Sequence, residues 1–165
     1  DIAIRLQNEE MKPVPHLAAR SIPSELWLKK NLDHMKAKFG LDHVLLIGGG
    51  VDRPVGEFAD TMQLLDTGLF EHFDIPNIGI AGHPEGSPDI SDEDIKHALI
   101  WKNEYAKKTG FNLSITTQFV FESDPVIDWE NQVRMEGNSL PIRIGIPGIA
   151  TIKTLLNHAR ACGVG

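Results

Sequence analysis

The chain has 165 residues, of which 41% are hydrophobic and 24% charged, a composition typical of one globular domain and not of a disordered or fibrous protein. Its 16 Lys and Arg residues and 23 Asp and Glu residues give a net charge of −7 without a basic stripe, so we expect no nucleic-acid partner. No apolar run is long enough to span a membrane, and the single cysteine, Cys162, excludes an internal disulfide and favours a reducing, cytoplasmic setting.

Short β-branched runs alternate with amphipathic stretches, a pattern typical of strand–helix units around a parallel sheet. Strands are predicted at residues 13–18, 43–47, 77–81, 113–118 and 142–146. Helices are predicted at 23–38, 59–72, from a Ser91 cap to 108, at 125–136 and at 152–161. Serine caps are expected in the segments 21–25 and 91–94, and glycine ends at Gly40 and Gly110. Trp27, Trp101 and Trp129 are expected to pack onto the sheet.

Five such units predict an α/β protein that covers part of a (β/α)₈ barrel, a fold of about 250 residues. Periodicity alone leaves a doubly wound open sheet as the alternative. A dinucleotide fingerprint in such a sheet would lead from its glycines directly into a helix, whereas Asp52, Arg53 and Pro54 follow Gly48–Gly50 here. This interruption favours the barrel.

In either architecture the functional residues lie beyond the C-terminal ends of the strands. The first strand carries His16 and Arg20, and the second leads into Gly48-Gly49-Gly50. Glycines let a ligand approach the backbone closely and their amides can hold an anion, although a flexible turn explains them equally well.

Two further strand ends carry polar side chains that can bind a ligand or take part in catalysis. His83 and Glu85 flank Pro84 after the third strand, where the histidine can donate to a cofactor, move a proton, or only hydrogen-bond within its loop. Gln118 ends the fourth strand, followed by Phe119 and Phe121. Its carboxamide can read the edge of a heterocycle, and the alternative is a buried glutamine bonded to the backbone.

Several of these motifs occur in a recognisable order: Pro-His-Leu at 15–17, His-Val-Leu-Leu-Ile-Gly-Gly at 43–49, Ile-Ala-Gly-His-Pro-Glu at 80–85, Ile-Thr-Thr-Gln-Phe at 115–119 and Ile-Pro-Gly-Ile at 146–149. Together they resemble the methylenetetrahydrofolate reductase family, most closely a divergent bacterial branch with Gly-His-Pro-Glu-Gly. The resemblance implies a (β/α)₈ barrel that binds FAD and uses NADH or NADPH to reduce 5,10-methylenetetrahydrofolate to 5-methyltetrahydrofolate.

The resemblance also implies roles for individual residues. Gln118 would contact folate and nicotinamide. A family aspartate beside the flavin and the folate is either replaced by Gly50 or displaced to Asp52, and we favour Asp52, so Gln118 and Asp52 are predicted as catalytic. The predicted cofactor-binding residues are His16, Gly48, Gly49, Gly50, Phe58, Ala59, His83 and Ser87. The chain departs from the family where Gly48 replaces an arginine, Phe58 a tyrosine and Ser87 a histidine, which removes polar contacts to FAD.

The implied protein is a cytoplasmic flavoprotein oxidoreductase of one-carbon metabolism and methionine biosynthesis, with folate as its partner and a homo-oligomer left open. The resemblance places the first two strands, the last strand and the folate-protonating glutamate outside the chain as given. We therefore expect residues 1–165 to be an incomplete reductase domain, inactive by itself. The alternatives are a flavin-independent folate reductase and a non-catalytic folate- or flavin-binding barrel fragment.

Overall fold

A computed structural model describes the backbone of residues 2–162 and the side chains of residues 2–160. Asp1, the side chains of residues 161 and 162, and residues 163–165 lie outside the described residues. The strands are β1 (His16–Ala18), β2 (His43–Ile47), β3 (Asn77–Gly82), β4 (Asn112–Phe119) and β5 (Ile142–Gly145). The helices are α1 (Ile2–Asn8), α2 (Glu25–Phe39), α3 (Thr61–Asp66), α4 (Leu69–His72), α5 (Asp92–Thr109), α6 (Asp124–Met135) and α7 (Ile152–Cys162).

The strands form one sheet in the order β1-β2-β3-β4-β5. The pairs β1–β2, β2–β3 and β4–β5 are parallel, with Ala18 opposite Ile47 and Ile115 opposite Ile142. The predicted α/β fold is thereby confirmed. Because the strand order follows the chain without reversing, the sheet has the connectivity of part of a (β/α)₈ barrel and lacks the switch point of a doubly wound sheet.

Helix ends lie where the capping residues predict them. The N–H of Trp27 donates to Ser24 Oγ at 3.2 Å, and the N–H of Asp94 donates to Ser91 Oγ at 3.2 Å. Gly40 ends α2 in the left-handed region with φ of 63°. Local sequence therefore determines where these two long helices begin and where α2 ends.

Three elements differ from the prediction. The helix predicted at 59–72 is two helices, α3 and α4, because Gly68 between them has a φ of 68° that a continuous helix excludes. The first strand begins at His16 and not at residue 13, since Pro13 and Pro15 have no N–H to donate to a ladder. Helix α1 was not predicted, and it has no buried residue that would give it an apolar face.

The chain divides after Ile80 into two compact units. The first unit buries apolar side chains of α2, β2 and α3, among them Leu28, Leu32, Val44 and Leu64. The second buries Leu99, Leu113, Ile115, Val126 and Val133. The prediction that Trp27 belongs to the core is wrong, because its side chain is 43% exposed on the outer face of α2.

A buried asparagine secures the loop between α6 and β5 in the second unit. Asn138, 4% exposed, donates from Nδ2 to the carbonyl of Leu99 at 3.1 Å and accepts the N–H of Leu140 on Oδ1 at 3.0 Å. Both sides of the carboxamide are therefore used in holding this loop against α5.

Candidate functional site

The first unit presents its predicted site residues around the ends of β1 and β2. His16 is the first residue of β1 and its side chain is exposed, so it lies on the strand and not after it. Gly48 directly follows β2, and its carbonyl accepts the N–H of Arg20 at 3.0 Å. A second backbone bond, from Val55 N–H to the Arg20 carbonyl at 2.8 Å, closes the loop of residues 48–55 against Arg20.

Each glycine in this loop has a different environment. A Cβ atom at Gly48 would lie 3.3 Å from Arg20 Nη2, and one at Gly49 would lie 3.1 Å from the Cβ atom of Ala18. Gly49 also has a φ of 96°, which disfavours any residue with a side chain. Gly50 has nothing within 4 Å of its Cβ position, and Asp52 beyond it is exposed. The loop is thus tightly packed at Gly48 and Gly49 and open at Gly50.

Arg20 is the residue of this site whose role sequence reasoning missed. Its Nη1 donates to the carbonyl of Val51 at 3.2 Å, while its buried Nε has no hydrogen-bond partner among the described residues. An unpaired buried donor costs about 1–3 kcal/mol, so such a group calls for a functional reason. The sequence signal that could have identified Arg20 is its position two residues after β1, next to a strand that is followed by three glycines.

Phe58 and Ala59 lie at the far end of the same connection. Phe58 is only 5% exposed, so its ring packs in the core of the first unit. The N–H of Ala59 donates to Gln63 Oε1 at 2.6 Å, and Asp60 caps α3 by accepting the N–H groups of Met62 and Gln63. This segment is consequently anchored by its own helix start, with the side chain of Ala59 exposed.

In the second unit, His83 directly follows β3 and is half-buried. Burial, and then the positive charge of Lys102, lower the pKa of His83 below its ordinary value of 6.5. The imidazole is therefore neutral near pH 7 and can donate one hydrogen bond and accept another. Gly86, with φ of 77°, turns the chain back so that its N–H donates to the His83 carbonyl at 3.1 Å.

A cleft of about 460 Å³ opens beside this turn, between α5 and α6. His83 and Glu85 line one end, Trp129 lines its apolar wall, and an ion pair of Lys96 Nζ with Glu136 Oε1 at 2.8 Å lies along it. Of the site residues predicted in the second unit, the cleft includes His83 but neither Ser87 nor Gln118. Ser87 instead accepts the N–H of Asp89 on its Oγ at 3.3 Å.

Gln118 is the last residue but one of β4, and its side chain is exposed and not buried. Its Oε1 accepts the N–H of Phe119 at 3.0 Å, which restrains the carboxamide at the strand end. Thr117 fixes the backbone here, since its Oγ1 donates to the Gln118 carbonyl at 2.7 Å and accepts the N–H of Gly145 at 2.9 Å. A polar, oriented side chain thus stands at the C-terminal end of a rigid strand.

The described residues form neither a metal site nor a membrane-spanning helix. Within the described residues, no group of three or more His, Cys, Asp and Glu side chains could hold a metal ion. Over the same part of the chain, no helix combines the length and the apolarity that crossing a membrane requires.

Comparison with known proteins identifies relatives of the chain. Residues 1–165 match the family model described as "Methylenetetrahydrofolate reductase". Methylenetetrahydrofolate reductase 2 of Saccharomyces cerevisiae is 34% identical over 104 residues, which are 61% of this chain and 16% of the yeast protein. Methylenetetrahydrofolate reductase (NADH) 1 of Arabidopsis thaliana is 29% identical over 179 residues, 98% of this chain and 29% of the plant protein. The chain thus spans less than a third of these curated relatives.

Proposed function

The chain belongs to the methylenetetrahydrofolate reductase family, as its motifs predicted, and we propose that it is part of an oxidoreductase that reduces 5,10-methylenetetrahydrofolate to 5-methyltetrahydrofolate. The observation that carries the proposal is the match of the family model over all of residues 1–165. Relatives from Arabidopsis thaliana and Zea mays have NADH in their names, so we propose NADH as the electron donor.

The residues of the first unit fit FAD as the cofactor. Gly50 leaves space at the open side of its loop, and the Arg20 guanidinium beside Gly48 pairs with no described carboxylate. A cation next to backbone amides suits a phosphate-bearing ligand. When bound, FAD would supply the redox chemistry that couples the nicotinamide to the folate.

In this proposal the protein binds and orients the reactants. In the first unit, His16, the Gly48–Gly50 loop and Ala59 would hold the cofactor, while Phe58 has its ring buried and would act through packing. The second unit would contribute His83 as a neutral hydrogen-bonding partner, because its lowered pKa leaves it uncharged at neutral pH, and Ser87 through its hydroxyl.

Gln118 and Asp52 are proposed to act on the substrate. The Phe119 N–H fixes one side of the Gln118 carboxamide, which would orient that carboxamide toward the pterin or the nicotinamide. Asp52 is exposed in the loop after the glycines, where its carboxylate would adjust the charge around both ligands. Two ligands that take turns at one site predict ping-pong kinetics, which intersecting double-reciprocal lines would contradict.

The test uses the protein expressed from its complete reading frame. We expect bound flavin to absorb near about 450 nm, to bleach with NADH under anaerobic conditions, and to recover its absorbance on addition of methylenetetrahydrofolate. Gln118→Ala should slow the recovery by the folate, whereas Asn131→Ala, which removes an exposed carboxamide from α6 outside the cleft, should not. A protein that oxidises no NADH with methylenetetrahydrofolate present would refute the proposal.

One observation favours a second candidate, a reductase that works without flavin. Phe58 stands where the family resemblance implies a tyrosine beside FAD, yet its side chain is only 5% exposed and offers no hydroxyl. A colourless protein that binds no added FAD, but oxidises NADH only when methylenetetrahydrofolate is present, would establish this candidate in place of the flavin-dependent one.

A further inference from the structure

Arg20 carries a positive charge that no described residue neutralises. Its guanidinium donates one hydrogen bond, from Nη1 to the Val51 carbonyl, although the group has several N–H donors in a planar fork. None of the ion pairs formed by the described residues includes it, and its Nε is buried without a partner. The buried Nε cannot reach an anion from outside the chain, but the remaining N–H groups of Nη1 and Nη2 can.

The surrounding loop is shaped to accept this guanidinium. A Cβ atom at Gly48 would lie 3.3 Å from Nη2, which is a tight contact, so glycine at this position lets the guanidinium lie close to the backbone. The backbone of Arg20 is hydrogen-bonded on both sides, to the Gly48 carbonyl and to the Val55 N–H. These bonds fix the main chain of Arg20, and the bond from Nη1 to the Val51 carbonyl ties the guanidinium to the loop.

Gly50 is the glycine that internal packing does not explain. It has nothing within 4 Å of its Cβ position, and its φ is not in the left-handed region. A glycine with open space at a strand end lets an outside group approach the backbone closely. The Arg20 guanidinium lies beside the Gly48–Gly50 loop, and a cation together with main-chain N–H groups is a donor set that binds phosphate oxygens.

We infer that Arg20 binds a phosphate group of a dinucleotide ligand at the Gly48–Gly50 loop. FAD and NADH both contain a pyrophosphate group that could bind there. The inference rests on the proposed function only for the choice of these two ligands. Arg20 is thus assigned as an anion-binding residue that the family motifs of this chain do not contain.

The experiment compares each dinucleotide with a counterpart that lacks its phosphates and its adenosine. Dissociation constants of apo protein from the complete reading frame are measured by calorimetry for FAD against riboflavin, and for NADH against reduced nicotinamide riboside. Loss of a charge-assisted hydrogen bond should make Arg20→Gln bind at least one dinucleotide about 10- to 100-fold more weakly than the wild type. The constants for riboflavin and the riboside should stay unchanged.

Three variants control for charge, geometry and folding. Arg53→Gln removes an exposed arginine from the same loop and should leave all the constants unchanged. Arg20→Lys keeps the charge but loses the planar fork, so it should recover part of the affinity. Gly48→Leu retains Arg20 but places a large side chain where even a Cβ atom would lie 3.3 Å from Nη2, and should weaken the same dinucleotide even if Arg20→Gln does not fold.

Each outcome decides between the possibilities. Selective loss of FAD affinity or of NADH affinity supports the inference and identifies the source of the phosphate. Equal loss for the phosphate-bearing and phosphate-free ligands, or no loss, overturns it, since a merely structural arginine would affect both alike. If the wild type binds NADH but no flavin, the flavin-dependent function fails while the NADH comparison still tests Arg20; if it binds neither dinucleotide, both are wrong.

Discussion

Replacing Gly56 with alanine should destabilise the first unit, because the loop that carries the glycines passes very close to the start of α2. A Cβ atom at Gly56 would lie 2.6 Å from the Ile22 carbonyl oxygen and closer still to the carbonyl of Pro23. These are backbone atoms, which cannot rotate away as a side chain can. Overpacking costs about 1–3 kcal/mol, and we expect the upper end here because the backbone must shift. The lower entropy of the unfolded alanine chain offsets about 0.4–1 kcal/mol, leaving a net loss of about 2 kcal/mol.

Thermal unfolding followed by circular dichroism measures this effect. For a protein of this size, about 2 kcal/mol corresponds to a fall in Tm of about 4–8 °C. Gly50→Ala is the matched control in the same loop, since its Cβ atom would meet nothing within 4 Å and its φ is ordinary. That control should be neutral or slightly stabilising. A Gly56→Ala protein that melts at or above the wild-type temperature would refute the close approach of the two segments.

Three further predictions concern the second unit. The pKa of His83 is lowered from 6.5 in the folded protein, so the unfolded chain binds the proton more readily. The free energy of unfolding should therefore decline as the pH falls below about 6.5. Urea titrations at about pH 7 and pH 5 should show a smaller decline for His83→Gln than for the wild type. Asn138→Ala leaves buried backbone groups unpaired and should cost about 2–4 kcal/mol in the same assay, whereas the exposed Asn131→Ala should cost less than about 0.5 kcal/mol. Gln118→Glu keeps the oxygen that accepts a backbone N–H but loses the amide donor. The kcat/KM for methylenetetrahydrofolate should therefore fall about tenfold or more, with Tm unchanged. An unaltered kcat/KM would contradict the role assigned to Gln118.

The fold could be predicted largely from sequence, because local signals and the hydrophobic pattern agree. Strand β2 lies at the predicted residues, and the Ser91 cap begins α5 as expected. The break between α3 and α4 was missed, since an isolated glycine in a helical pattern is compatible with a continuous helix until tertiary packing gives it a positive φ. The exposure of Trp27 was also missed, because helical periodicity does not fix which large residue of a weakly amphipathic helix faces solvent.

The candidate site was less predictable, because its properties depend on contacts between segments far apart in sequence. Motifs identified which strand ends carry polar residues, but not that Phe58 is buried or that a cleft beside His83 excludes Ser87. The lowered pKa of His83 likewise comes from burial and from Lys102, which lies 19 residues further along the chain, on α5. No local pattern contains such information.

The pairing of Gly48 with Arg20 shows why substitutions at a strand end should be interpreted in space and not position by position. Because β1 and β2 are parallel, with Ala18 opposite Ile47, the residues just beyond these two strands reach the same volume. A Cβ atom at residue 48 would already lie 3.3 Å from Arg20 Nη2, so a large side chain at 48 and the Arg20 guanidinium compete for this space. Glycine at 48 lacks the arginine that the family resemblance implies at this position. The same glycine leaves room for the guanidinium of Arg20, which comes from beyond the neighbouring strand. The charge available to a ligand at this edge of the sheet depends on both residues together.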